Sequence, residues 1–246
     1  IPFQTAFSGN DGDVTIAPNT SVTLSGTILT EDGDPVPNVT VNLTGDETGT
    51  DVTDANGDYE FTVAANSDVE VTPTTNMDPK RGVTSLDLAI IQSHIVNGGI
   101  IGTPYKLIAG NPISTPGFSL NITSADLALI QQVIVQLGAD FTPNSNSWKF
   151  IESDYVLANP TQPWLDAFSE SAVLTNVMTD QTDLDFVGIK VGDVNDTWPN
   201  VSFQSGGWGT DLTLSLAEEK LVAGQEYLLQ FRARDFADLM AFQATL

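Results

Sequence analysis

Two aspartates, Asp87 and Asp126, occupy the same place in two copies of one motif. Thr84-Ser-Leu-Asp87-Leu-Ala returns as Thr123-Ser-Ala-Asp126-Leu-Ala, and the identity continues from Ile91, Gln92, Ile95 and Val96 to Ile130, Gln131, Ile134 and Val135. Thr-x-x-Asp has the form of a helix N-terminal capping box, in which hydroxyl and carboxylate satisfy backbone donors and the negative charge complements the helix dipole. The same carboxylate also suits a cation loop. In a twelve-residue calcium loop, oxygen donors belong at positions 1, 3, 5, 7, 9 and 12, the last in the first turn of the following helix.

Counting back from Asp87 places Asn76, Asp78, Gly82 and Thr84 at donor positions, with Asp87 last. Lys80 and Arg81 stand where a carboxylate and a glycine are usual. Counting back from Asp126 gives Thr115, Gly117, Ser119, Asn121 and Thr123, a set with a single carboxylate, so capping is the simpler role there. A third cation site is drawn by Asp193 and Asn195, which crowd with Asp183, Asp185 and Asp196 around FVGIKVG; solvated turns are the alternative. Asp54, Asn56 and Asp58 look like a further ligand series, but a hairpin turn explains them.

Catalysis has few residues to work with. His94 is the sole histidine and cysteine is absent, which leaves histidine-based hydrolysis, thiol chemistry and a zinc cluster without their parts. Paired carboxylates of a glycosidase do not stand out from the acidic background. Trp148, Trp164, Trp198 and Trp208 either stack on sugars or pack irregular segments. Asn-x-Ser/Thr sequons at Asn19, Asn38, Asn42, Asn121, Asn195 and Asn200 are expected by chance in a threonine-rich chain.

The elements that must position these groups are short. A chain of 246 residues carrying 32 Asp and Glu against 8 Lys and Arg has a formal charge of −24. That charge repels nucleic acid and anionic membranes, and no apolar run reaches the roughly 20 residues of a membrane span. Its length predicts two or three small domains. Residues 1–20 read as an N-terminal segment or linker. Residues 21–75 alternate apolar and polar in SVTLSGTIL, VTVNL, YEFTVA and DVEVTP, with DGDP and ANGD as turns, which predicts a small β-sandwich.

From 76 to 200 the period changes. Leu88, Ile91 and Ile95, then Leu127, Ile130, Ile134 and Leu137, each fall on one helical face, and Gly98-Gly99 and Gly138 end the helices. Two helices this short are stable only when their stripes are buried against each other. Beyond them come an irregular aromatic stretch and a strand-like DFVGIKVGDVND. Residues 201–246 alternate again in DLTLSL and EYLLQFRAR, and the chain stops at MAFQATL within a strand-like pattern. With no initiator Met at Ile1 and no leader-like run, the chain reads as processed or as a fragment.

Three resemblances follow. GTILTEDGDPVPNVTVNL with TDANGDYEFTV resembles the carboxypeptidase regulatory-like family, noncatalytic sandwiches used as spacers in secreted proteins. The order DPKRGVTSLDLAIIQSHIVNG, TPYKLIAG, NITSADLALIQQ, SWKFI and DFVGIKVGDVND resembles type I dockerin modules, most closely those of large surface proteins of Gram-negative bacteria using type IX secretion. VAGQEYLLQFRARDFADLMAFQATL resembles the opening strands of a cohesin-like domain. The expected fold is therefore multidomain and mainly β: a sandwich, a dockerin-like helix pair, then strands of a partial cohesin-like sandwich.

These resemblances imply a noncatalytic, extracellular, cell-surface segment for structure or adhesion, with calcium as its cofactor. The implied partner is a cohesin-like sandwich from the same chain or a neighbouring copy, with surface polysaccharide as a further candidate. An accessory region of a secreted carbohydrate-active enzyme and a filament subunit joined by strand exchange are the alternatives.

Overall fold

The computed structural model describes residues 5–7, 14–16, 20–113, 121–135, 140–141, 145–200, 213–216 and 231–234. The expected positions Thr115, Gly117, Ser119, Leu137, Gly138 and Trp208, and most of the cohesin-like run, lie outside them. The chain divides into two units, 1–200 and 201–246. Its described part is mainly β, with three α-helices.

In the first unit, β1 (Thr5–Phe7) and β2 (Val14–Ile16) form an antiparallel pair. The five strands that follow are β3 (Ser21–Leu29), β4 (Thr40–Gly45), β5 (Gly49–Val52), β6 (Asp58–Ala64) and β7 (Ser67–Thr74). In β3 and β6 alternate side chains are buried, as a strand with one face on a core requires. The turns DGDP and ANGD do not close hairpins within one sheet. They carry the chain from β3 to β4 and from β5 to β6, which belong to opposite sheets. Gly57 in the second turn has φ +84°, and a Cβ there would lie 2.4 Å from the Ile28 carbonyl oxygen, so the crossing requires glycine.

The expected boundary at residues 75 and 76 is crossed by strand pairing. After the helices α1 (Ser85–Asn97), α2 (Pro104–Ala109) and α3 (Ser124–Val135), the chain forms β8 (Trp148–Glu152), β9 (Ala172–Val177) and β10 (Phe186–Lys190). One sheet has the order β6-β3-β10-β8 and the other β5-β4-β7-β9. β10 lies parallel to β3, pairing Phe186 with Ile28, and β9 lies antiparallel to β7. The sandwich therefore needs strands from 148–190, and the helices form an insertion within it.

β8 and β10 are covered on both faces. Trp148, Phe150 and Phe186 enter the core between the sheets with Val22, Leu24, Ile28 and Val41. Ile151, Ile189 and Val191 pack on the other side with Ile91, Leu107, Ile130 and Val133 from the helices. That double burial explains why WKFIE and FVGIK lack polar alternation. α1 and α3 pack on each other, with Ile91 and Ile130 fully buried. Ile95 faces outward at 39% exposure, whereas its counterpart Ile134 is buried.

In the second unit, β11 (Thr213–Leu216) and β12 (Phe231–Arg234) form an antiparallel pair. Among the described residues no helix is long and apolar enough to cross a membrane.

Candidate functional site

The repeated aspartates do the same work twice. Asp87 Oδ2 accepts hydrogen bonds from the Thr84 backbone N–H at 2.8 Å and from Thr84 Oγ1 at 2.9 Å. Asp126 Oδ2 accepts the same pair from Thr123, both at 2.9 Å. Each thus starts a helix as a capping box with aspartate in the third place. The other oxygen reaches elsewhere: Asp87 Oδ1 accepts from the Val194 N–H at 2.9 Å, and Asp126 Oδ1 from the Ile113 N–H at 3.2 Å. Both carboxylates are buried. Burial raises the Asp87 pKa, opposed by the hydrogen bonds from Thr84 and Val194.

Asp87 meets the third expected site. β10 leads into Gly192-Asp193-Val194-Asn195, a turn whose carboxylate Asp193 accepts from three backbone donors: Asn195 at 3.3 Å, Thr197 at 3.1 Å and Trp198 at 2.8 Å. Asp193 is buried, and burial together with the nearby Asp87 charge pushes its pKa up to about 6. The hydrogen-bond network assigns the Asn195 amide with Nδ2 facing the carboxylates, donating to Asp193 Oδ1 at 2.8 Å, Thr197 Oγ1 at 2.9 Å and Asp87 Oδ1 at 3.3 Å. Turning the amide over would bring a third oxygen to the two carboxylate oxygens. Two anionic oxygens and a neutral one are hard donors of the type calcium takes, three of the roughly six to eight that fill its shell.

Gly82 closes this cluster. It has φ +81°, and a Cβ on it would stand 2.4 Å from Asp193 Oδ2 and 2.9 Å from Trp198 Cα. Its carbonyl accepts from Thr197 Oγ1 at 3.2 Å. Of the predicted site residues, the structure therefore brings together Gly82, Thr84, Asp87, Asp193 and Asn195. Asp126 sits at the start of the other helix.

Asn76 and Asp78 are directed elsewhere. Asn76 accepts from the Ser147 N–H at 2.8 Å and donates to Asp140 Oδ2 at 3.0 Å. Asp78, with φ +45°, faces Arg81 across 3.8 Å. The two cationic departures in the loop also have partners. Lys80 Nζ donates to the Ile134 carbonyl at 3.5 Å, near the end of α3. Arg81 donates to the Trp198 carbonyl at 3.2 Å and lies 5.1 Å from the centre of that ring. Among the described residues no three His, Cys, Asp or Glu side chains converge as a metal cage.

Sequence reasoning missed the cation that braces the first loop. Lys190 Nζ, buried at the end of β10, donates to the Pro79 carbonyl at 3.1 Å and the Ser147 carbonyl at 3.3 Å. Burial pulls its pKa down to about 7, opposed by Asp193 and Asp78. The available signal was a lysine at the end of an apolar strand, with aspartates on either side of the fold.

Trp148, Trp164 and Trp198 are at most 4% exposed, so they pack the core and are not available for stacking on sugars. His94 is half-buried on α1, where its Nδ1 accepts from the Ile101 N–H at 3.2 Å. Asp54 accepts from the backbone of Asn56 and Asp58 at 2.7 and 3.0 Å, a turn role.

A scan of protein-family models gives no match, and searches of curated proteins and of solved structures give none either.

Proposed function

We propose that this chain is a noncatalytic, extracellular connector of a cell-surface protein, in which a dockerin-like helix pair inserted in a β-sandwich mediates association and is braced by calcium. The observation that carries the reading is the meeting of Asp87 with Asp193 and Asn195, which joins the start of α1 to the turn after β10. Without a cation, the Asn195 amide bridges the two carboxylates through Nδ2. With calcium, Asp87, Asp193 and Asn195 would present oxygens to the ion. The ion's role would be to offset carboxylate repulsion and stiffen the contact between helix and sheet.

Partnership with a cohesin-like sandwich, and membership of a type IX-secreted surface protein, rest on the motif order described above. Titration of the calcium-free chain with calcium, followed by isothermal calorimetry, tests the metal part. Saturable heat that Asn195→Ala abolishes supports it; heat unchanged by that substitution contradicts it.

A further inference from the structure

The open corner of the sandwich is closed by carboxylates. β6 is an edge of one sheet and β5 an edge of the other. Because β6 pairs antiparallel with β3, alternate residues turn their N–H groups away from the sheet. Of the four, Asp58, Glu60, Thr62 and Ala64, three meet carboxylates: the Asp58 N–H donates to Asp54 Oδ1 at 3.0 Å, the Glu60 N–H to Asp51 Oδ2 at 2.8 Å and the Ala64 N–H to Glu47 Oε1 at 2.5 Å, on both sides of Thr62. Asp51 spans both edges, since its Oδ1 also accepts from the Val52 N–H of β5 at 2.8 Å. The opposite edge of the same sheet is treated alike, with the Phe150 N–H of β8 on Glu170 Oε2 at 3.3 Å.

Exposed edge donors are the groups on which a foreign strand pairs. A carboxylate accepts the donor's hydrogen bond and offers no N–H in return, so it ends the ladder where a strand would extend it. We infer that Glu47 and Asp51, with Asp54, are a latch that keeps the β6 edge from accepting a strand from a second copy of this chain. The inference is independent of the calcium reading, because none of the three residues touches Asp87, Asp193 or Asn195.

The test is the double variant Glu47→Ala with Asp51→Ala in the full chain, read by amide hydrogen exchange and light scattering. The inner amides of Phe61 and Val63 report whether β3 and β6 still pair. In the monomer at low concentration, the Glu60 and Ala64 amides should exchange about tenfold faster than in the parent chain. At higher concentration the variant should associate, with those two amides protected in the associated form.

Glu60→Ala removes an edge charge without touching the latch, and it should stay monomeric. If the alanine variant does not fold, Asp51→Asn with Glu47→Gln takes the same test, with the same outcome expected to a smaller degree. The inference is overturned if the folded variant stays monomeric, if it associates while Glu60 and Ala64 remain unprotected, or if Glu60→Ala associates equally.

Discussion

Asp87 Oδ1 and the backbone N–H of Val194 are joined by a 2.9 Å hydrogen bond across 107 residues of sequence. Through it the first turn of α1 is fixed to the loop that leaves β10. Asp126 and Ile113 repeat the device at 3.2 Å over 13 residues. The near-identical motifs are thus two copies of one joint: a helix start tied by its capping carboxylate to a backbone donor from another element.

Replacing either aspartate by alanine removes a cap and leaves the backbone donors it bonded unsatisfied, the buried Val194 N–H among them at Asp87. We expect Asp87→Ala to cost about 3 kcal/mol and Asp126→Ala about 2 kcal/mol, the first being larger because its second bond is shorter and holds the α1 start to the sheet. Urea unfolding of both variants checks the order; a larger loss at Asp126 would contradict it.

Gly82→Ala should be nearly as damaging as Asp87→Ala. The new Cβ is strained at φ +81° and forced against Asp193 and Trp198, with an expected loss of about 2–4 kcal/mol. Gly98→Ala is the control, since nothing lies within 4 Å of a Cβ there although its φ is also positive. It should lose about 1 kcal/mol from backbone strain alone. Thermal melts of the two variants separate collision from strain.

Lys190 gives the alkaline branch of the pH profile. Its folded pKa of about 7 lies well below the ordinary 10.5, so between those values the unfolded chain binds more protons and stability rises with pH. Buried Lys149, also pulled down by burial, acts in the same direction. Lys190→Met should flatten the rise: losing the donor to the Pro79 and Ser147 carbonyls costs about 1–3 kcal/mol, a loss seen toward pH 9.5 and offset at pH 7 by relief of the buried charge. Denaturant melts from pH 7 to 9.5 measure both.

Asp193 gives the acid branch. Its folded pKa of about 6 exceeds the ordinary 3.8, so across that window the folded state holds a proton that the unfolded state has released. The contribution therefore falls as pH rises from about 4 to 6. Calcium competes with that proton, and its shift of the melting temperature should grow from pH 5 to pH 7. Melts in calcium and in chelator at the two pH values check this.

Much of this fold could be read from local pattern. The alternations that predict strands in 21–75 correspond to β3, β4, β6 and β7, and Thr84 and Thr123 do begin helices. The missing strands were hidden by their environment: β8 is buried on both faces and carries no period of two, while β5 is a short GTDV at an edge. The helices α1 and α3 interrupt a sandwich whose later strands lie beside β3 and β7, and local periodicity says nothing about such long-range pairing. Asp193 and Asn195 were legible as an oxygen-rich turn. Their meeting with Asp87 was not, because it depends on the path of β10. The loop count from Asp87 could not show that Asn76 and Asp78 engage Ser147 and Arg81, contacts made across the fold and within the loop.

The most direct measurement is differential scanning calorimetry of the chain in calcium and in chelator, beside Asn195→Ala. At free calcium about 100 times the dissociation constant, the parent should gain roughly 2.7 kcal/mol, and the variant should melt alike in both buffers. A parent transition indifferent to calcium, or a variant that keeps the full shift, would contradict calcium bracing at Asp87, Asp193 and Asn195.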